Sequence, residues 1–366
     1  MLHLRHAMVP SSRSELKKGL QDSNHRQRVA EALDKAWQRA LDGEKSITLD
    51  VDLSSSRFVI FSDLHKGVRN RADDFLSCER AYNAALAYYF AAGHTLIELG
   101  DVEELWEERP GAVLDRYKHT FELSAKFHRA GRYLRVYGNH DDNWSFDDEV
   151  GRLLRPVYGA DLKVYESIRL RDRELGTLWL THGHQGTMNS DRFSRLSRIP
   201  TRFLWRPFQR LFKFSLNSPA KDWVLREKHN IALYSWALSQ PNLVLIAGHT
   251  HRPVFRAKTL AAQIEEEIKK VPPQEIQRIA ELSAELEWVR AQDQKESGPE
   301  GAVVPLESPS YFNTGCCCFV DGDITGIEIA DGEIRLIRWP DDEDRPRPQI
   351  LRGARLRIAE VFSELS

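Results

Sequence analysis

Tyr133-Leu134-Arg135-Val136-Tyr137-Gly138-Asn139-His140-Asp141 is an apolar run that stops at a glycine and is followed at once by three polar groups. Asn139 offers a neutral oxygen, His140 a titratable ring, and Asp141 a carboxylate able to orient that ring. Alone, the stretch reads as a strand and a turn, because Gly, Asn and Asp are ordinary turn residues. Its meaning comes from four other runs that end the same way. Arg57-Phe58-Val59-Ile60-Phe61 ends in Ser62-Asp63-Leu64-His65, and Thr95-Leu96-Ile97-Glu98-Leu99 ends in Gly100-Asp101. Thr177-Leu178-Trp179-Leu180 ends in Thr181-His182-Gly183-His184, and Leu243-Val244-Leu245-Ile246-Ala247 ends in Gly248-His249-Thr250-His251. Helical patterns from about Asp73 to Ala92 and from about Leu114 to Ala130 separate the first three runs. Strands alternating with helices imply a largely parallel sheet covered on both faces. Ligands bind such sheets at the carboxyl ends of the strands. All five clusters fall at that end, so they can converge although they lie far apart in the chain.

The bulk properties narrow the classes. At 366 residues the chain fits one large α/β domain with insertions. A formal net charge of -2 argues against a protein built as a whole for nucleic acid or acidic membranes. Three of the four cysteines are consecutive, Cys316-Cys317-Cys318. Neighbours on a strand face opposite ways, so these are expected as strand packing residues and not as a disulfide framework. A reducing, cytoplasmic setting is the simplest expectation, with membrane attachment at most peripheral. Met1 to Lys18 has no apolar core of signal-peptide length, and no run reaches transmembrane length.

The strand-tip residues form a ligand set: Asp63, His65, Asp101, Asn139, His182, His249 and His251. Carboxylate, amide oxygen and imidazole without thiolate suit Mn, Fe or Zn, with Mn favoured. Seven side chains are too many for one ion but suffice for two divalent ions that share a bridging carboxylate. Two such ions are the usual device for in-line displacement at phosphorus. Asp63-x-His65 and His249-x-His251 are spaced so that both members point the same way at a strand end. Each motif alone is common; five in this order, each on the tip of an apolar run, are not.

The combined pattern resembles the calcineurin-like metallophosphoesterase superfamily, on Asp63-Leu64-His65, Gly100-Asp101, Gly138-Asn139-His140-Asp141, His182 and Gly248-His249-Thr250-His251. The resemblance covers Phe58 to Pro253 and the strands after Ser310. It implies an α/β fold of two mixed β-sheets packed as a sandwich flanked by helices, with helical insertions. It implies that Asp63, His65 and His251 bind one metal and Asn139, His182 and His249 the other, with Asp101 bridging. His140 would be the non-ligand histidine that protonates the leaving group or steadies the phosphate, and Asp141 would orient it. The activity implied is metal-dependent hydrolysis of a phosphoester or pyrophosphate bond. The alternatives are a nuclease or cyclic-nucleotide phosphodiesterase, and a non-catalytic metal-binding scaffold. His140 argues against the scaffold, which needs no non-ligand acid.

The Ser/Thr protein phosphatase branch carries Gly-Asp-x-x-Asp-Arg-Gly, whereas here Gly100-Asp101-Val102-Glu103-Glu104-Leu105-Trp106-Glu107 follows the second run. The acidic-aromatic run, the block at His182 and Gly248-His249-Thr250-His251-Arg252-Pro253 look more like the UDP-diacylglucosamine pyrophosphohydrolase branch. That branch often has arginine where His140 stands. From Asp191 to Lys228 basic residues interleave with aromatics, and Arg192, Arg195, Arg198 and Trp205 are candidate substrate contacts. This segment can serve an anionic lipid or nucleotide-lipid at a membrane surface, single-stranded nucleic acid less readily, or simply a lid with solvated arginines.

The expected organisation is an N-terminal helical appendage over 1–50 and a metallophosphoesterase core over 51–256, with a basic aromatic cap at 190–228. A helical hairpin and linker are expected over 257–305, closing strands over 306–340 and a charged tail over 341–366. The stripe Leu282, Leu286 and its neighbours in 257–294 suggests a homodimer contact or a structural arm.

Overall fold

The computed structural model describes residues 13–187, 219–255, 258–259, 264–265, 268–269, 271–295, 308–342 and 347–365. Most of the basic aromatic segment, including Arg192, Arg195, Arg198 and Trp205, lies outside the described residues. The strands are β1 (Ser46–Asp50), β2 (Phe58–Phe61), β3 (Thr95–Leu99), β4 (Tyr133–Val136), β5 (Ser167–Asp172), β6 (Gly176–Thr181), β7 (Leu243–Ala247), β8 (Pro253–Phe255), β9 (Lys258–Thr259), β10 (Tyr311–Thr314), β11 (Ile324–Ala330), β12 (Glu333–Trp339) and β13 (Gln349–Arg357). The main helices are α1 (Arg13–Asp42), α2 (Glu79–Ala91), α3 (Pro110–Arg116), α4 (Lys118–Arg129), α5 (Pro219–Leu238), α6 (Ile276–Lys295) and α7 (Ile358–Ser363).

Among the described residues the strands form two mixed sheets, ordered β1-β5-β6-β7-β10-β8-β9 and β13-β12-β11-β2-β3-β4. β2, β3 and β4 run parallel in one sheet, and β6, β7 and β10 run parallel in the other. Strand alternation explains the layers. Ile60, Ile97 and Val136 face Leu178, Leu180, Val244 and Ile246 across a core between the sheets. Val59, Phe61 and Leu96 point the other way, into Ala81, Tyr82 and Ala85 of α2 and Phe121 of α4. Trp179 and Leu245 pack outward on Leu33 of α1 and Trp236 of α5. Covered on both faces, β2 and β7 read as unbroken apolar runs, Phe58–Phe61 and Leu243–Ala247 being buried throughout.

Several expectations need correction. Among the described residues of the first 50, β1 pairs in parallel with β5 as part of the sheet, and α1 buries Val29, Leu33 and Ala36 under it while Asp34 accepts a hydrogen bond from the Trp236 indole at 2.7 Å. The short polar Ser46–Asp50 gives little strand signal because it is an edge strand, buried only in part. Lys258–Thr259 is a strand paired with β8, where the charged sequence suggested helix. Leu282 and Leu286 of α6 pack into the chain's own core. β10 ends at Thr314, so the three cysteines lie in the loop that follows it and not on a strand. No helix among the described residues is long and apolar enough to cross a membrane.

A buried ionic cluster braces β3 and β4 below their tips. Glu98 and Arg135 sit opposite each other in register, and both are fully buried. Arg135 pairs with Glu103 and approaches Asp141 at 3.5 Å and Glu98 at 4.0 Å. Tyr82 donates to Glu98 at 2.8 Å, Tyr133 donates to it as well, and Trp144 donates to Glu103 at 2.8 Å. Removing one partner of such a cluster leaves uncompensated charge in low dielectric. Arg135→Ala should therefore lower the unfolding free energy by about 3–5 kcal/mol, read from urea denaturation; a change under about 1 kcal/mol, the level of an exposed pair, would contradict this role.

Candidate active site

The five strand tips converge, three from one sheet and two from the other. Asp63, His65, Asp101, His249 and His251 all have positive φ, between 51° and 66°. Left-handed backbone is uncommon for side-chain-bearing residues, and Asp and His are among those that adopt it most readily. Asp63 and His65 follow the end of β2 at Phe61, and His249 and His251 follow β7. Their common direction therefore comes from these turns, and not from strand alternation. Backbone bonds hold the turns: the Asp63 N–H donates to the Gly100 carbonyl at 3.1 Å, and those of Leu64 and His65 donate to the Asp101 carbonyl at 2.9 Å.

The glycines in the motifs are spacers. A Cβ on Gly138 would fall on the Asp101 carboxylate and lie 2.6 Å from its backbone nitrogen. A Cβ on Gly248 would fall on Ser62 Oγ and the Asp63 carboxylate. Asn313, near the end of β10, donates from its amide to the Gly248 carbonyl at 2.7 Å.

Two half-sites result. Asp63, His65 and His251 place donor atoms within 4.8 Å of one another, and so do Asp101, His182 and His249. Asp101 Oδ2 lies between them, 3.0 Å from His182 Nε2 and 3.8 Å from His65 Nε2. Asn139 Oδ1 is buried and makes no hydrogen bond. His182 Nδ1 donates to the Leu99 carbonyl at 2.9 Å, which turns Nε2 toward Asp101. Burial disfavours charge on this ring, but Asp101 and Asp63 raise it to about 9. Burial opposes ionisation of Asp101 too, yet His182 and His140 hold it well below the usual carboxylate range. The buried amide oxygen without a donor and the imidazoles aimed at carboxylates fit two hard or borderline divalent cations.

His140 lies beside these half-sites. Its backbone N–H donates to Asp101 Oδ1 at 2.7 Å. The structure corrects its expected partner. Asp141 does not orient the ring: its carboxylate accepts the backbone N–H groups of Gly138 at 2.6 Å, Val102 at 2.9 Å and Asp101 at 3.3 Å. It organises the turn that carries Asn139 and His140. The ring partner is Glu104, whose Oε2 lies 2.7 Å from His140 Nδ1 and 3.1 Å from His65 Nδ1. Burial raises the Glu104 carboxyl, but its bonds to His140 and His65 bring it down to about 2. Trp106 stacks on the His140 ring with centroids 3.9 Å apart. Both residues belong to the acidic-aromatic run after Asp101, the signal that points to them in the sequence. Burial lowers the His140 ring, but Asp101 and Glu104 outweigh it and the net shift is upward.

The raised His182 ring has a consequence for the metal-free protein. A histidine whose folded-state value rises from 6.5 to about 9 adds stability in full below pH 6.5 and loses it as pH rises through about 9. In chelator, the gap in melting temperature between wild type and His182→Asn should be widest below pH 6.5 and close toward pH 9. A gap independent of pH would contradict the pairing with Asp101.

Among curated proteins, no match to this sequence is found. A family model described as calcineurin-like phosphoesterase matches residues 56–253, more than half of the chain and the whole span from Asp63 to His251. With the two-sheet architecture, this match makes the chain a member of the calcineurin-like phosphoesterase family, metal-dependent hydrolases of phosphoesters.

Proposed function

We propose that the chain hydrolyses a phosphoester or phosphoanhydride at two divalent cations, manganese first among the candidates, held by Asp63, His65 and His251 on one side and Asn139, His182 and His249 on the other. One observation carries the reading: Asp101 Oδ2 lies between two donor clusters brought together from both sheets. A cation pair bound there draws charge from the phosphoryl oxygens and acidifies the attacking water. The chain's own residues do the rest. The Asp101 carboxylate serves both half-sites. Glu104 fixes Nδ1 of His140, leaving Nε2 to face the leaving group with the proton. The shift of the ring is upward, the direction that favours a proton donor. Trp106 limits the ring's rotation by stacking on it.

A specific acid argues for an enzyme over a metal-binding scaffold. For the substrate, the support is in the sequence: basic and aromatic residues from Asp191 to Lys228 follow His182 closely, which favours an anionic amphiphile such as a nucleotide-lipid. Arg192, Arg195, Arg198 and Trp205 are the contacts this reading assigns, and a peripheral membrane setting goes with it. His140 stands where the UDP-diacylglucosamine branch often has arginine, so the class of substrate is proposed and not that branch's own compound.

The test is a panel with manganese: a phosphomonoester, a phosphodiester, a nucleotide-diphosphate lipid and single-stranded DNA. Preferential turnover of the lipid supports the reading; turnover of DNA alone replaces it with a nuclease. His140→Ala should cost about 10²–10⁴-fold in kcat with metal content retained, and Asp101→Asn should lower both. Near-normal turnover in metal-loaded variants would contradict the assignment. Glu104→Gln removes an interaction that raises the His140 ring, so the alkaline limb of the pH–rate profile should move to lower pH. An unmoved limb would show that Glu104 does not hold the acid.

A further inference from the structure

The loop after β10 brings two thiols to the far side of the His251 ring. Cys316, Cys317 and Cys318 are buried, and no disulfide joins the four cysteines of the chain. The loop is pinned by its backbone: Cys316 exchanges bonds with Thr325, and the Cys317 N–H donates to the Asp63 carbonyl at 3.1 Å. Cys316 and Cys318 share one face, with Phe319. Cys317 faces the opposite core, with Cys78. Cys318 Sγ lies 3.5 Å from His251 Nδ1, and Cys316 Sγ, Cys318 Sγ and a ring nitrogen of His251 all fall within 4.8 Å of one another. The other ring nitrogen, Nε2, is turned the opposite way, 3.3 Å from Asp63 Oδ1 and 3.2 Å from His65 Nε2.

These distances suit a tetrahedral thiophilic ion. With Zn–S near 2.3 Å and Zn–N near 2.0–2.1 Å, a tetrahedral site puts sulfur and nitrogen about 3.5 Å apart. We propose that Cys316, Cys318 and His251 Nδ1 form a third cation site, joined to one half-site through the His251 ring, that takes one thiophilic divalent ion such as zinc. Two thiolates and one imidazole select against manganese, so the ion that favours this site differs from the one the oxygen-rich half-sites favour. Binding releases the two thiol protons to solvent, together with the Nδ1 proton of His251 where Nε2 stays on a half-site cation, and changes no oxidation state. The His251 ring is shared. An ion on Nδ1 either draws Nε2 away from Asp63 and His65 or converts the ring to an imidazolate, and both alter the half-site. Zinc at the thiols is therefore inhibitory; this second part rests on the phosphoesterase reading, whereas the site itself does not.

The full chain is loaded with manganese and titrated with cobalt(II), which reports sulfur ligation by near-ultraviolet charge transfer. Wild type and Cys317→Ser should develop the band to one cobalt per chain, and Cys316→Ser/Cys318→Ser should not. No band in wild type, or a band that survives in the double variant, overturns the site. Near-ultraviolet circular dichroism checks the fold of the double variant. If that variant does not fold, Cys318→Ser alone, at the rim of the cluster, must weaken the band. Hydrolysis then tests the second part: one added equivalent of zinc should slow manganese-loaded wild type about tenfold and leave the double variant's rate ratio near one. Equal inhibition of both overturns regulation through the thiols. Wild type without turnover on any phosphoester would refute the phosphoesterase reading while the cobalt band still decides the site.

Discussion

Asp101 is the residue through which the site is assembled. Its side chain lies between the half-sites, 3.0 Å from His182 and 3.8 Å from His65. Its second carboxylate oxygen accepts the His140 backbone N–H, its carbonyl accepts those of Leu64 and His65, and its own N–H donates to Asp141. One residue at the tip of β3 thus sets the turns after β2 and β4 and meets the imidazole from β6. That position is tenable only because Gly138 approaches without a side chain. Left-handed φ at Asp101 and four other candidate ligands costs of order 1–3 kcal/mol each, which is large beside the 5–15 kcal/mol of a typical domain. The strain persists because the bonds among the tips and the cores on both faces of each sheet over-determine the backbone.

The charge cluster beneath the tips belongs to the same design. Glu98, Glu103, Arg135 and Lys66 are all fully buried, which is costly unless each finds a partner. Arg135 reaches up toward Asp141, and Asp141 in turn holds the N–H groups of Gly138, Asp101 and Val102. A chain of polar contacts therefore runs from the interior of the sheet to the two loops that carry Asp101 and His140. Burial also pushes the Lys66 ammonium down from its ordinary range, and the ammonium lies over the Phe121 ring at 4.7 Å. The cluster braces the site and does not reach the substrate.

The parallel core was legible in the sequence because strands buried on both faces carry few polar interruptions, so Phe58–Phe61 and Leu243–Ala247 stand out as runs that stop at Gly, Asp or His. Asp63, His65, Asp101, His182, His249 and His251, which meet in the two donor clusters, stand out in the sequence for the same reason. What the sequence hid was governed by contacts across the fold. Ser46–Asp50 looks like the end of a helical segment, since an edge strand beside Ser167–Asp172 needs few apolar residues. Asp141 looks like the partner of His140 because it is its neighbour, but three N–H donors capture its carboxylate and point it away from the ring. Glu104 reaches both His65 and His140 only because the loop after β3 folds back beneath the β4 tip. Chain proximity was the misleading cue at Asp141, and separation concealed the true partner.

Glu104 bears on what kind of site this is. One carboxylate oxygen holds Nδ1 of His65, a candidate ligand, and Nδ1 of His140, which lies outside the ligand set. The two rings stand edge to face with centroids 4.6 Å apart, and Trp106 covers the other face of His140. A metal-binding scaffold gains from orienting His65 but has no use for a second imidazole fixed by the same carboxylate and clamped by an indole. An acid that must meet a leaving group needs both restraints, because proton transfer depends on position before it depends on pKa. Sharing one carboxylate oxygen also ties the position of His140 to that of the candidate ligand His65. On the proposed reading, both restraints serve a reaction in which cations and a proton donor must act on one phosphoester together.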